Sequence, residues 1–547
     1  MPSEPIHDVC VIGTGAGGGV WIDVCTRAGL DVVGLERGPE LGPADFARHD
    51  ELTNTHRHDG FAPDWRNTLR ADSAEIATAH HSASLAQCVG GGTAHWGAVC
   101  WRMREDEFRV LSTEGPVEGA SLADWPLAYE DLVPYYDRAE KRLGVAGLAG
   151  SNPFEPRRDQ AYPNPAHPPR RATLALQQGA QKLGQHPFAT PLAVNPRPYG
   201  GRGMCMYAGQ CSTFGCPTHA KASTLSIHIP AARATGGLDL RTETRVVELV
   251  VGQDGRVEMA RTIDAKGSER EVRARTFVLA AGSLGSPHLL LSSRSARFPN
   301  GLANGSGQVG RNLMFHILSY AGFELPEPSM GAFGPVGMVS VDDLHPSQAS
   351  RGFLRGAIIS EAPEPGPLWA AYKANEYLGR EHGAWGKPLK DFMRRYPYLG
   401  CLISTGEDLP QHANRVDLDP DHVDDLGIAL PRITHRSHPN DLALARYFEE
   451  AMKEIAMASG AVRAYGFDFS RAKGGSGHIM GTCRMGSDPA TSVVDRDCRS
   501  HEVSNLYVSD GSCFPTSSGY NPTLTIFAIA DRAVTRFLAR RMRRETT

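Results

Sequence analysis

The sequence predicts an α/β fold, α+β overall. A Rossmann-like domain is assembled from discontinuous segments, and a second domain with an antiparallel sheet is inserted into it. Three observations predict this. The β-branched run Asp8-Val-Cys-Val-Ile-Gly is followed at once by glycines, an apolar helical stretch and a second short apolar run, the order of a βαβ unit. Strand-like runs of the same kind recur at 276–281 and 505–510. Between them, from about 320 to 470, the chain changes to separated strands and Pro-rich loops.

Each element has its own reason. Residues 8–13 read as a buried parallel strand, because such strands are near-continuous β-branched runs. A helix is expected from about 18 to 28 and a strand at 31–36, closing the βαβ unit. Residues 39–90 are polar, with His at 49, 56, 58, 80 and 81, and read as loop and short helix. The Pro-rich stretch 120–200 includes a helix near 128–143. Residues 241–251 and 257–264 alternate as antiparallel strands, and 276–281 is another buried strand. Further strands are expected at 339–341 and 416–418, and a helix at 439–459. The chain then returns to strand, loop and helix over 505–540.

Composition excludes other classes. Hydrophobic residues are 41% and charged residues 22% of 547, which rules out a disordered chain, a collagen and a small disulfide scaffold. A net charge of −4 gives no global field for nucleic acid or an anionic membrane. No apolar stretch approaches the length of a membrane span. The start carries no basic and apolar leader, and the eleven cysteines are odd in number. Reduced thiols in the cytoplasm are therefore expected.

Gly13-Thr14-Gly15-Ala-Gly-Gly18 fits G-x-G-x-x-G between a strand and a helix. The first glycine permits the tight turn. The second lets a pyrophosphate approach the helix N-terminus, and the third lets helix and strand pack closely. Glu36 ends the next strand, where a carboxylate accepts from a ribose hydroxyl. That carboxylate argues against NADP and leaves NAD and FAD open.

Four more segments carry a resemblance. They are Gly90-Gly-Gly92-Thr93-Ala-His95-Trp96-Gly, Phe277-Val-Leu-Ala-Ala281-Gly-Ser-Leu-Gly, Gly477-His478-Ile-Met-Gly-Thr-Cys-Arg-Met-Gly, and Val508-Ser-Asp510-Gly511 running on to Asn521-Pro522-Thr523. With the N-terminal motif they resemble the glucose–methanol–choline (GMC) flavoprotein oxidoreductases. The His-Trp pair and the Asn-Pro-Thr ending are more similar to bacterial sugar dehydrogenases and to pyranose or glycoside oxidases than to choline or aryl-alcohol enzymes.

The resemblance implies FAD, with residues 1–110, 220–318 and 470–547 as the FAD-binding domain and 111–219 and 319–469 as the substrate-binding domain. It puts the diphosphate over Gly13, Thr14, Gly15 and Gly18, the ribose on Glu36 and the adenine beside Val246, with Arg37 also among the cofactor-binding residues. Gly92, Thr93, His95 and Trp96 would lie along the isoalloxazine. Asp510 and Gly511 fall near the pyrophosphate, Asn521, Pro522 and Thr523 near the pyrimidine end, and Ala281 is a further cofactor-binding residue. His95 matches the histidine that bonds covalently to flavin in pyranose oxidases. Related dehydrogenases keep His-Trp without that bond, and a packing role is expected here.

The resemblance also implies oxidation of a sugar or glycoside hydroxyl, with O2, a quinone or a redox protein as acceptor. His478 matches the catalytic histidine, suited to general-base work. Asn521 matches the second catalytic position and would orient the substrate oxygen. The alternatives are a sugar or aminoglycoside dehydrogenase that avoids O2, and a hydroxynitrile lyase with redox-silent FAD. Cys205, Cys211 and Cys216 lie within 12 positions. They read as structural thiols in a substrate-site loop, with an Fe–S cluster as the alternative. Substrate contacts are expected from 320–470, where Trp369, Tyr372 and Tyr377 are candidate stacking or packing residues.

Overall fold

The run Ile6–Ile12 (β1) is central because its second half is apolar and buried on both faces. Val9, Cys10 and Val11 are fully buried. β1 is one strand of a seven-stranded sheet in the computed structural model, which describes residues 5–46, 51, 61, 66–80, 85–209, 211–362, 366–378, 385–466 and 475–545. Its other strands are Val32–Leu35 (β2), Leu238–Arg241 (β3), Thr244–Val251 (β4), Val257–Asp264 (β5), Glu269–Leu279 (β6) and Leu506–Val508 (β7). The order is β3-β2-β1-β6-β5-β4, with β7 also on β6. Strands β3, β2, β1, β6 and β7 are parallel to their neighbours, while β4, β5 and the first half of β6 form an antiparallel meander.

Helix α1 (Ala16–Arg27) follows β1. Its early glycines lower helix propensity by roughly 1 kcal/mol each against alanine. They are retained because two of them have no room. A Cβ on Gly17 would lie 1.6 Å from the Ser509 carbonyl oxygen, and one on Gly18 1.9 Å from that of Gly13. Trp21, Ile22 and Cys25 fill the interface with the sheet and with the long helix Thr523–Glu545, where Trp21 meets Phe537 at 5.4 Å. Each large side chain so buried contributes about 1.5–3 kcal/mol.

A six-stranded antiparallel sheet forms the other layer. Its order is Arg463–Gly466, His316–Glu324, Leu399–Glu407, Ala357–Ala362, Val339–Val341 and Phe188–Ala189. Helix Pro439–Ala458 covers it with Leu444, Phe448, Met452 and Ile455 against Ala321, Phe323 and Leu402. Among the described residues no helix is long and apolar enough to cross a membrane.

The structure differs from the sequence expectations in places. Arg241 ends β3, and a turn at Glu243 (φ 48°) separates it from β4 without a Gly or Pro to mark the break. β6 begins at Glu269 rather than 276, because its charged first residues pair with β5 in an exposed hairpin. Within 39–90, the strands Asn67–Arg70 and Thr78–His80 extend a four-stranded sheet with Arg415–Val423 and Ala429–Thr434. His49, His56, His58 and His81 lie outside the described residues. Trp369, Tyr372 and Tyr377 belong to helix Pro367–Leu378, and their side chains lie outside the described residues.

Candidate active site

The loop after β1 is shaped by its scaffold. Gly13 has φ 94°, and a Cβ there would lie 2.4 Å from the Ala280 carbonyl oxygen. Gly15 is different: a Cβ there meets nothing nearer than Gly91 Cα at 3.9 Å. At Gly92 it meets nothing within 4 Å. Two glycine loops thus approach each other and leave free space at Gly15 and Gly92, as a cradle for a dinucleotide requires.

Buried Glu36 braces this cradle. Its Oε2 accepts from Thr14 N–H (3.1 Å) and Thr14 Oγ1 (2.6 Å), and its Oε1 accepts from Gly38 N–H (3.1 Å). The Arg37 backbone is a further donor to this carboxylate, so the loop itself takes up about four acceptor positions. Burial raises the Glu36 pKa. Arg37 follows it, half-buried. Val246 lies on β4, two residues beyond Thr244, whose N–H donates to the Glu36 carbonyl (2.8 Å). Asp510 turns inward: it accepts from Gly282 N–H (2.9 Å), Ser286 Oγ (2.5 Å) and Ser512 N–H (2.9 Å), tying β7 to the helix Gly282–Ser292. Ala281 is exposed just before that helix, and a Cβ on Gly511 would lie 2.8 Å from the Ile479 carbonyl oxygen.

The 90–97 loop carries Thr93, His95 and Trp96. Thr93 Oγ1 donates to the Gly90 carbonyl (2.6 Å), and the Trp96 indole donates to the Ala222 carbonyl (2.7 Å). His95 is stacked on Phe61 at 4.8 Å, its Nε2 is buried without a hydrogen-bond partner, and burial pushes its pKa down to about 4. Beneath the loop, buried Lys221 donates to the carbonyls of Trp96 (2.9 Å), Cys211 (2.7 Å) and Phe214 (2.7 Å). Cys205, Cys211 and Cys216 are free, partly buried thiols. Among the described residues, no group of three or more His, Cys, Asp or Glu side chains is arranged to hold a metal ion.

His478 and Asn521 come together although 43 residues separate them. His478 Nε2 lies 3.1 Å from Asn521 Nδ2. Asn521 precedes buried Pro522 and Thr523, which opens the 23-residue helix. The helix N-terminus favours negative charge beside it. Burial first, and then the neighbouring His316 ring, pushes the His478 pKa down to about 3.

Residues without a sequence motif complete the site. Trp101 Nε1 donates to Asn521 Oδ1 at 3.1 Å. His316 Nδ1 stands 2.8 Å from His478 Nδ1, with the rings nearly perpendicular. Tyr520 stacks on His345 at 4.4 Å and donates to Asp342 at 2.9 Å. His345 bonds Glu107 at 2.7 Å, and Glu107 pairs with Arg355, which also binds Glu407 at 3.1 Å. This buried ionic cluster fixes the backbone just before Asn521. A lone histidine or tryptophan outside a motif gave no signal for it.

Comparisons with known proteins place the chain in a family. Sequence models of the GMC oxidoreductase family match residues 67–318 and 410–530. The 2-methyl-1,2-propanediol dehydrogenase of Mycolicibacterium austroafricanum is 35% identical, covering 96% of this chain and 94% of its own. The 6'''-hydroxyparomomycin C oxidase of Streptomyces lividus is 33% identical, over 98% and 93%. The gluconate 2-dehydrogenase flavoprotein of Pantoea cypripedii is 28% identical, over 95% and 92%. The crystal structure of pyridoxine 4-oxidase from Mesorbium loti shares the fold, with a TM-score of 0.65 at 17% identity over 97% of this chain and 99% of that one. With both family models matched and a relative similar along nearly the whole of both chains, the protein is an enzyme of the GMC oxidoreductase family.

Proposed function

We propose that this enzyme oxidises a CH–OH group of a sugar, glycoside or related polyol, with FAD as its cofactor. The observation that carries the reading is the 3.1 Å approach of His478 Nε2 and Asn521 Nδ2 at the start of a long helix. FAD, when bound, supplies the hydride acceptor. Gly13, Thr14, Gly15 and Gly18 would hold its pyrophosphate, and Glu36, at the end of the second strand, would lie beside its ribose. The open face at Gly92 and the partnerless His95 Nε2 suit a ring system laid along that loop. A covalent link at His95 is not favoured, because its ring is already stacked on Phe61.

His478 does the proton work. It is uncharged at neutral pH, so its Nε2 takes the hydroxyl proton as the hydride leaves carbon. Asn521 Nδ2 donates to the same substrate oxygen and orients its carbon. The helix N-terminus stabilises the negative charge that develops there. Relatives named for diol, aminoglycoside and gluconate substrates support a small polyhydroxylated substrate. Both oxidases and dehydrogenases occur among them, so the acceptor is O2, a quinone or a redox protein. The cysteine cluster serves as structural thiols around Lys221, and the reading places the enzyme in the reducing cytoplasm, where thiols stay reduced.

The test is anaerobic flavin bleaching over a panel of monosaccharides, aminoglycosides and vicinal diols. Bleaching by one class identifies the substrate, and oxygen uptake against dye reduction then identifies the acceptor. A flavin that stays oxidised with a substrate the enzyme demonstrably converts means redox-silent lyase chemistry instead.

A further inference from the structure

The proton positions in the catalytic group are fixed from both ends of one hydrogen-bond chain. At one end the Ser517 carbonyl oxygen lies 3.1 Å from His316 Nε2. A carbonyl only accepts, so His316 Nε2 carries the hydrogen, and in the neutral ring Nδ1 is an acceptor. His316 Nδ1 is 2.8 Å from His478 Nδ1. His478 therefore donates from Nδ1 and keeps a lone pair at Nε2. At the other end the Trp101 indole can only donate, and it meets Asn521 Oδ1. The amide thus turns Nδ2 toward His478 and donates to Nε2, a bond that the substrate hydroxyl replaces when it binds. The two deductions start from different groups and agree.

Backbone register brings the two histidines together. Met314 and Met480 exchange backbone hydrogen bonds of 3.0 and 2.9 Å in an antiparallel bridge. Two residues on from Met314 and two back from Met480 stand His316 and His478, opposite each other. In an antiparallel pair, opposite residues share a face. Ser476 Oγ then accepts from the backbone N–H of both, at 3.1 and 3.2 Å. His316 is 2% exposed, and burial keeps its ring uncharged, with a pKa pushed down to about 4.

We propose that His316 is a positioning residue: its unprotonated Nδ1 locks His478 in the tautomer that presents the Nε2 lone pair to the substrate hydroxyl. This rests on the reading of His478 as the proton acceptor. The chain is also closed to onward transfer. His316 Nε2–H faces a carbonyl that cannot take up a proton and pass it on. A proton gained at His478 Nε2 therefore stays there until it leaves on the substrate side.

The test uses the purified holoprotein labelled with ring-15N histidine, with His478 resonances identified by their loss in His478→Asn. The expected wild-type spectrum has His478 Nδ1 protonated and Nε2 bare. His316→Leu removes the acceptor. It should populate the other tautomer and slow flavin reduction about 10- to 100-fold, the scale seen for outer partners of ligating histidines, with KM little changed. His316→Asn, whose amide oxygen can accept from Nδ1, should restore the Nδ1–H form and most of the rate. A wild-type His478 protonated at Nε2 would overturn the proposal, and so would a His316→Leu variant with wild-type spectrum and rate. If the leucine variant does not fold, the wild-type and asparagine spectra decide. Normal flavin reduction by His478→Ala is a separate failure. It removes the catalytic reading whatever the tautomer spectrum shows.

Discussion

The Trp101 indole donates its only hydrogen to Asn521 Oδ1 across 3.1 Å, and this sets which end of the amide faces His478. Trp101→Phe keeps an aromatic side chain, smaller by one ring, and removes the donor. Asn521 can then present either end, and part of the population is misoriented. One hydrogen bond is worth about 0.5–1.5 kcal/mol net, so flavin reduction should slow about 3- to 10-fold, with FAD binding retained. Stopped-flow absorbance under anaerobic conditions measures this. An unchanged rate would show that Asn521 orients itself.

The buried His478 should leave its mark on the pH profile. The neutral ring is the active form, and acid removes it. A pKa lowered to about 3 moves that loss far below neutrality. Because kcat/KM reports groups of the free enzyme, it should be flat from about pH 5 to 8. An acid limb with a midpoint at the ordinary histidine value of about 6.5 would contradict the burial argument.

Glu407 gives a stability prediction. Arg355 faces Glu107, Glu407, Asp106 and Glu114 at once. Burial, opposed in part by Arg355 and reinforced by Glu107, raises Glu407 from its ordinary 4.5 to about 7. The folded state therefore binds a proton that the unfolded chain has released, and stability falls as pH rises through that window. Glu407→Gln has no such proton to lose. Its Tm relative to wild type should rise by at least about 1 °C between pH 5 and 8. A constant difference in scanning calorimetry would mean that Glu407 is already ionised at pH 5.

The glycines of the first loop separate into two kinds. Gly17→Ala drives a Cβ into the Ser509 backbone and should destabilise the protein by about 1–3 kcal/mol or more. Gly15→Ala meets no protein atom closer than 3.9 Å. It should keep the Tm of the FAD-free protein while weakening FAD binding. Thermal melts and flavin titration distinguish these outcomes, and equal melting losses would place Gly15 in the packing.

Much of this was legible in the sequence where a local pattern carried it. Gly13 to Gly18, the buried runs around Val9–Val11 and Phe277–Leu279, and the long helix after Asn521 all follow from periodicity or glycine placement. The split between β3 and β4 was not legible, since the turn uses Glu243 rather than glycine. The strands at 67–70 and 78–80 were missed because they join a distant sheet and lack alternation. At the site, His478 and Asn521 sat in recognisable segments. His316 and Trp101 did not, because their roles arise from a backbone register and a side-chain contact that only the tertiary fold creates. The Arg355 cluster likewise draws carboxylates from three separate segments.

The central claim is that His478 takes the substrate proton while the hydride leaves for the flavin. Anaerobic single-turnover flavin reduction by His478→Ala tests it most directly. The account predicts a protein that folds, binds FAD and reduces it at least ~10²-fold more slowly than wild type, the usual scale of general-base catalysis. Reduction at a near-normal rate would contradict it.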